Sequence, residues 1–195
     1  MEEKKLTQQE SLDIISRMIN ETRNNLERGG GNIFLLWGYL WLFVSLAVYF
    51  VISASGDYRA QWLWFLIPLI GYPGMTLLLK KRTGTAVTFA SSFIAKIWIV
   101  IGVCALLLSL FMLINPFAFP MLFVMALLIN AGVAISGLVI RFKPVIIAGF
   151  SGIILSFLLL LIGGFEQILV FAAFSVVMLI IPGHILNISS RKHKI

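Results

Sequence analysis

The chain has 195 residues, of which 60% are hydrophobic and 12% charged, with a mean hydropathy of +1.02; this composition excludes an ordinary soluble domain in favour of a membrane protein. A net charge of +7 does not point to a nucleic-acid binder, because the Lys and Arg residues punctuate apolar runs instead of gathering on one solvated face. The single cysteine, Cys104, sits inside an apolar run, which rules out an intramolecular disulfide, a redox pair and a thiolate cluster.

The first predicted element precedes the membrane. Thr7-Gln8-Gln9-Glu10 has the form of a capping box, in which a Thr hydroxyl and a Glu three residues later satisfy free backbone N–H groups, so a helix is expected to start there. At about 100° per residue, Leu12, Ile15, Ile19 and Leu26 fall on one stripe, widened by Ile14 and Met18, while Asp13, Arg17, Glu21, Arg23 and Glu27 take the opposite side. Gly29 is placed to end this helix as a left-handed cap, with Gly30 and Gly31 completing a hinge. Residues 1–28 hold six acidic and five basic side chains, so anionic lipid has little attraction for them. Leu12, Ile15, Ile19 and Leu26 are therefore the candidate partner-binding face of residues 8–28. The face would meet this chain's own membrane domain, a second copy in a homo-oligomer, or another protein.

Six apolar runs follow, at 33–52, 62–79, 93–114, 121–140, 145–162 and 168–186, each near the roughly 20 residues a helix needs to cross a bilayer. The charged front and the long first run suit an uncleaved anchor better than a signal peptide. Short connections make neighbouring spans antiparallel. The expected class is an all-α integral membrane protein, a six-helix bundle with an N-terminal cytoplasmic amphipathic helix: residues 1–31 as helix and glycine hinge, 32–187 as the membrane domain, and 188–195 as a basic tail. Lys80, Lys81 and Arg82, then Arg141 and Lys143, then Arg191, Lys192 and Lys194 fall on the same side as the N-terminal segment, leaving Arg59 on the other side and Lys96 inside the third span. That asymmetry predicts both termini in the cytoplasm. It also defines a candidate basic rim without an acid, onto which Asp13, Glu21 or Glu27 would dock if the front helix folded back. Trp62, Trp64 and Trp98 are expected as interfacial anchors, whereas Trp37 and Trp41 lie deeper.

A repeat runs through the spans. Each odd span carries a Gly followed seven residues later by a Ser: Gly38 and Ser45, Gly102 and Ser109, Gly149 and Ser156. Gly74, Gly137 and Gly183 recur in the even spans, which predicts three helical hairpins related by an axis along the membrane normal.

Residues able to carry chemistry are few. Lys96 lies within reach of the headgroups at the start of the third span, Asn130 is the one amide near a span centre and is expected to bond between helices, and His184 follows the helix-loosening Pro182. "GYPGM" and "IPGHI" break two even spans at similar places and are expected to kink them. No metal-ligand spacing is present, and the acids that would complete a Ser/His/acid set, Asp57 and Glu166, fall on the opposite side from His184. No cofactor, metal or catalytic residue is therefore expected, and no nucleic-acid partner beside the lipid bilayer.

The stretches "LLWGY" at 35–39, "KIW" at 96–98, "GLVIRFKPVIIAG" at 137–149 and "IIPGHIL" at 180–186 resemble six-span inner-membrane proteins of Bacteroidota, a family without an assigned activity, over most of the chain. The resemblance implies a bacterial cytoplasmic membrane and an all-helical bundle, and assigns no role to any residue. The expected function is non-catalytic partner binding or regulation through the cytoplasmic face; the alternative is a small transporter or lipid-handling protein with its pathway near Asn130 and the kinked spans.

Overall fold

A computed structural model of the protein describes residues 8–80, 89–115 and 119–192, all but a few of them helical. Six stretches are long and apolar enough to cross a membrane: Gly30–Ser55, Tyr58–Lys80, Ser92–Ile114, Met121–Ile140, Lys143–Leu161 and Gln167–Ser189. The protein is thus an all-α, multi-pass membrane protein, with spans close to those the apolar runs define.

Helix α1 (Gln8–Ser55) contains both the predicted front helix and the first span in one unbroken element of 48 residues. Thr7, at which the capping box is expected to start the helix, lies outside the described residues. The expected cap at Gly29 and hinge at residues 29–31 do not form: the helix runs straight through all three glycines. The cause is the neighbouring chain segment. A Cβ on Gly31 would collide with Asn187 Oδ1 and come within 2.5 Å of the Gly183 carbonyl oxygen, and one on Gly30 would lie 3.3 Å from Leu186 Cδ2. The glycines carry a helix-propensity penalty of about 1 kcal/mol each against Ala, offset at Gly30 and Gly31 by close approach to the last span. Folding the front helix back onto the basic rim is incompatible with this continuity.

A 3-10 stretch at Tyr58–Phe65 leads into α2 (Leu66–Lys80), opened by Asp57, whose carboxylate accepts the Arg59 N–H at 2.8 Å. Helix α2 continues through Pro73 without a break. Helix α3 (Phe89–Ile114) lies at the periphery, packed chiefly on α4 (Met121–Ile140). Helix α4 ends in a Schellman turn: Phe142 N–H reaches the Gly137 carbonyl at 3.1 Å, Arg141 N–H reaches Leu138 at 3.2 Å, and Arg141 takes the left-handed conformation at φ 53°. The tight reversal presses α5 (Lys143–Ser156) against α4, so that a Cβ on Gly137 would stand 2.7 Å from the Ile146 nitrogen.

The fifth span finishes in a short helix α6 (Leu158–Leu161), and the sixth is built from α7 (Gln167–Ser175), a π-helical turn (Val176–Ile180) and α8 (Ile181–Lys192). Pro182 has no N–H, and its ring would clash with the carbonyl four residues back in a regular α-helix. The wider turn relieves this, with Ile181 N–H reaching Val176 O. The two Pro-Gly breaks predicted alike thus differ: only the second disturbs its helix.

The core lies between α1, α4, α5 and the last span, with Val133, Val145, Leu159, Met178 and Leu186 almost fully buried. Trp41 is buried at its centre against Phe171, ring centroids 4.4 Å apart. Of the predicted interfacial tryptophans, Trp62 is exposed, whereas Trp64 turns inward onto Phe171 and Trp98 donates to Ser136 Oγ at 3.1 Å. The latter two fasten helices together.

The repeat holds at its first set of positions. Gly38 abuts Leu179 and Ile180 of the sixth span, Gly102 abuts Tyr72 of the second, and Gly149 abuts Ala134 of the fourth, so each odd span meets the even span before it in cyclic order. The matching serines all donate four residues back along their own helix: Ser45 to Trp41 O, Ser109 to Ala105 O and Ser156 to Gly152 O. The second set breaks the rule once. Gly137 meets the fifth span and Gly183 the first, each the next odd span, but Gly74 meets Leu36 of the first span instead of the third.

Candidate functional site

The polar residues of the spans form two groups with different surroundings. The first is at mid-membrane. Asn130 is fully buried and donates its Nδ2 to the Ala126 carbonyl of its own helix at 2.9 Å. The expected bond between helices does not form, because the facing position on α5 is Gly152, which has no side chain to offer. A Cβ at Gly152 would collide with Asn130 Oδ1; the glycine Cα–H takes that place and makes at most a weak C–H···O contact. Asn130 Oδ1 and the Trp41 indole N–H are the buried side-chain polar atoms without a hydrogen-bond partner among the described residues. Ser136 donates to Gly132 O and Ser175 to Ala172 O, so these hydroxyl protons, like those of the repeat, are used inside their own helices, while Ser136 Oγ also accepts from Trp98.

The second group lies where α1 and α8 run antiparallel toward the basic end. Their backbones approach closely through Gly31 and Gly183: a Cβ on Gly183 would stand 3.0 Å from Phe34 Cβ and 3.2 Å from Gly31 O. Along the edge of this contact, Asn187 Nδ2 donates to Asn32 Oδ1 at 2.7 Å, and Tyr39 Oη lies 3.2 Å from His184 Nε2 with the rings edge to face. Asn32, Tyr39 and His184 are exposed at the bundle surface. His184 was legible in the sequence as a residue beside a helix break. Its partners were not, since the two bonds join residues 145 and 155 positions apart; only the seven-residue spacing of Asn32 and Tyr39, which puts them on one face of α1, hinted at them.

The alternation of helices brings the described part of the basic rim to one end. Lys80 ends α2, Arg141 caps α4, Lys143 opens α5, and Arg191 and Lys192 end α8, with Lys80, Arg141 and Lys143 exposed. Lys81, Arg82 and Lys194 lie outside the described residues. Lys96 is exposed on α3 near this end, apart from both polar groups. Leu12, Ile15, Ile19 and Leu26 are on α1, and the surroundings of their side chains lie outside the described residues. No group of three or more His, Cys, Asp or Glu residues suited to a metal occurs among the described residues.

Geometry and sequence together define a six-span helical membrane protein with a polar seam at its basic end. No family model, curated protein or solved structure matches the chain.

Proposed function

We propose that this is a non-catalytic membrane protein of the bacterial cytoplasmic membrane that binds a protein partner through the N-terminal part of α1, with both termini on the cytoplasmic side. The observation that carries this reading is the continuity of α1 from Gln8 to Ser55. The 22 residues ahead of the first span, Gly30–Ser55, extend that helix by about 33 Å at 1.5 Å per residue. One continuous helix carries the sequence positions Leu12, Ile15, Ile19 and Leu26 on from the first span, which lowers the ordering cost of binding. The near balance of acidic and basic residues on this segment favours protein over anionic lipid as the covering surface. The transport alternative draws less support, since Asn130 is fully buried against Gly152 and the hydroxyls of Ser45, Ser109, Ser136, Ser156 and Ser175 donate within their own helices.

Photo-cross-linkers placed at Ile15 and Ile19 in native membranes, with Asp13 and Arg17 as opposite-face controls, test the reading. Protein adducts at the stripe positions alone are expected, and adducts to lipid alone at all four positions would refute it.

A further inference from the structure

We propose that the junction between α2 and α3 is a lateral gate in the bundle, propped open by the Tyr72 ring and closing on a stripe of small residues of α3. All three odd spans carry such a stripe at seven-residue spacing, which turns by only about 20° from one member to the next and so stays on one helix face. Its members are Gly31, Gly38 and Ser45 on α1, Ala95, Gly102 and Ser109 on α3, and Gly149 with Ser156 on α5. Small residues on membrane helices let neighbouring backbones approach closely. Two of the stripes are used in that way. A Cβ on Gly38 would stand 3.3 Å from the Ile180 nitrogen, and one on Gly149 would collide with the Ala134 backbone.

The α3 stripe meets no backbone at its glycine. A Cβ on Gly102 would find only the tip of the Tyr72 side chain, 2.6 Å from Oη and 3.9 Å from Cζ. The length of a phenol thus separates the two helices. Gly71 and Gly74 give their own close approach to Trp37 and Leu36 of α1, and α2 and α3 touch little elsewhere. Exposure reports the same separation. Leu69, Tyr72, Thr76 and Leu79 fall within about 80° on the α2 face that carries the ring, and all four are exposed, as is Ala95 on α3. No residue of the third span, Ser92–Ile114, is buried.

The prop is lightly fastened. Tyr72 meets Trp37 edge to face, ring centroids 5.5 Å apart, and its hydroxyl makes no hydrogen bond among the described residues. Tyr72 lies eight residues, about 12 Å, from the basic end of its span, and Gly102 about 15 Å from the start of the third. Both are inside the hydrocarbon layer, where neither water nor a headgroup fixes the phenol. With the ring turned toward lipid, Gly102 faces the α2 backbone, and α3, held chiefly by α4, moves in against it. Antiparallel pairing about Tyr72 and Gly102 then sets Leu79 level with Ala95 and Leu69 level with Ala105.

The test uses the full chain in native membranes in a Cys104→Ala background. It reads the rate of oxidative disulfide formation for Leu79→Cys/Ala95→Cys and for Leu69→Cys/Ala105→Cys, since a bridge needs Cα atoms within about 7 Å. Both pairs are expected to cross-link slowly with Tyr72 in place and at the same rate in Tyr72→Phe, which keeps the ring. Tyr72→Ala and the milder Tyr72→Leu should each raise the rate at least about tenfold if the ring is the prop. Adding Gly102→Leu fills the stripe and should remove that gain, and should slow the reaction further where Tyr72 is intact. Equal rates in all variants, or a gain that Gly102→Leu leaves untouched, would overturn the proposal. Bridges that form between two chains would overturn it as well, because they place a second copy against α3.

Discussion

Asn130 and Gly152 set the tightest side-chain constraint in the membrane core. With Asn130 Oδ1 standing where a Cβ on residue 152 would go, Gly152→Ala forces a shift in a packed helix pair, and we expect a loss of roughly 1–3 kcal/mol of stability in detergent unfolding. Asn130→Ala removes the obstacle, and the bond it deletes leads only to the Ala126 carbonyl of its own helix. In the double variant the cost of Gly152→Ala should fall by at least about half, a coupling that a double-mutant cycle reads directly; additive losses would mean the two residues do not meet. Arg141 presents the reverse case. It occupies the left-handed position of a Schellman turn at φ 53°, where glycine is favoured by about 1 kcal/mol. Arg141→Gly is therefore expected to raise Tm by a few degrees, while removing one of the charges from which the orientation is proposed.

Among the elements, α1 departs furthest from its sequence signals. A charged amphipathic segment followed by three glycines reads as helix, cap and hinge, because in isolation glycine ends helices. Packing against α8 reverses the outcome, and adjacent positions separate the two accounts. Gly30→Ala meets only the end of the flexible Leu186 side chain at 3.3 Å and should be neutral or stabilise by up to about 1 kcal/mol through helix propensity. Gly31→Ala drives a methyl into Asn187 and the Gly183 backbone and should cost about 1–3 kcal/mol. A hinge with residues in left-handed conformation would make both substitutions destabilising, so thermal unfolding of the two variants decides between them. The sixth span shows a comparable dependence on context: its Pro182 coincides with a π turn, whereas Pro73 sits inside a continuous α2.

Across the whole molecule, the odd-numbered spans each place a glycine against the preceding even span, and Gly137 and Gly183 of the even spans pack at two of those same junctions from the other side. Gly74 packs on α1 instead of α3, which leaves α3 at the edge of the bundle, held mainly by α4. The orientation proposed from the basic rim has a direct check. In a Cys104→Ala background, a cysteine at exposed Tyr58 should react with an impermeant maleimide on intact cells, while cysteines at exposed Gln9 and Lys143 should react only after the membrane is opened. Labelling of Gln9→Cys on intact cells would reverse the orientation.

The six spans and their alternation were legible in the sequence, because a bilayer requires about 20 apolar residues per helix and that requirement acts locally along the chain. The Met121–Ile140 span, bounded by prolines and charges, agrees residue for residue with its apolar run. The short connections likewise fixed which ends of the helices lie together, gathering the basic residues on one face. What the sequence left open was every decision made between helices. Asn130 looked like a bridge to a neighbour and is turned back on its own carbonyl by Gly152; Trp98 looked like a belt residue and bonds to Ser136. The glycines at 29–31 looked like a joint and instead lie in a continuous helix, two of them against the last span. His184 had a visible helix break beside it, but Tyr39 comes from the far end of the chain. These outcomes depend on which surface approaches a residue, and only the packed bundle supplies that surface.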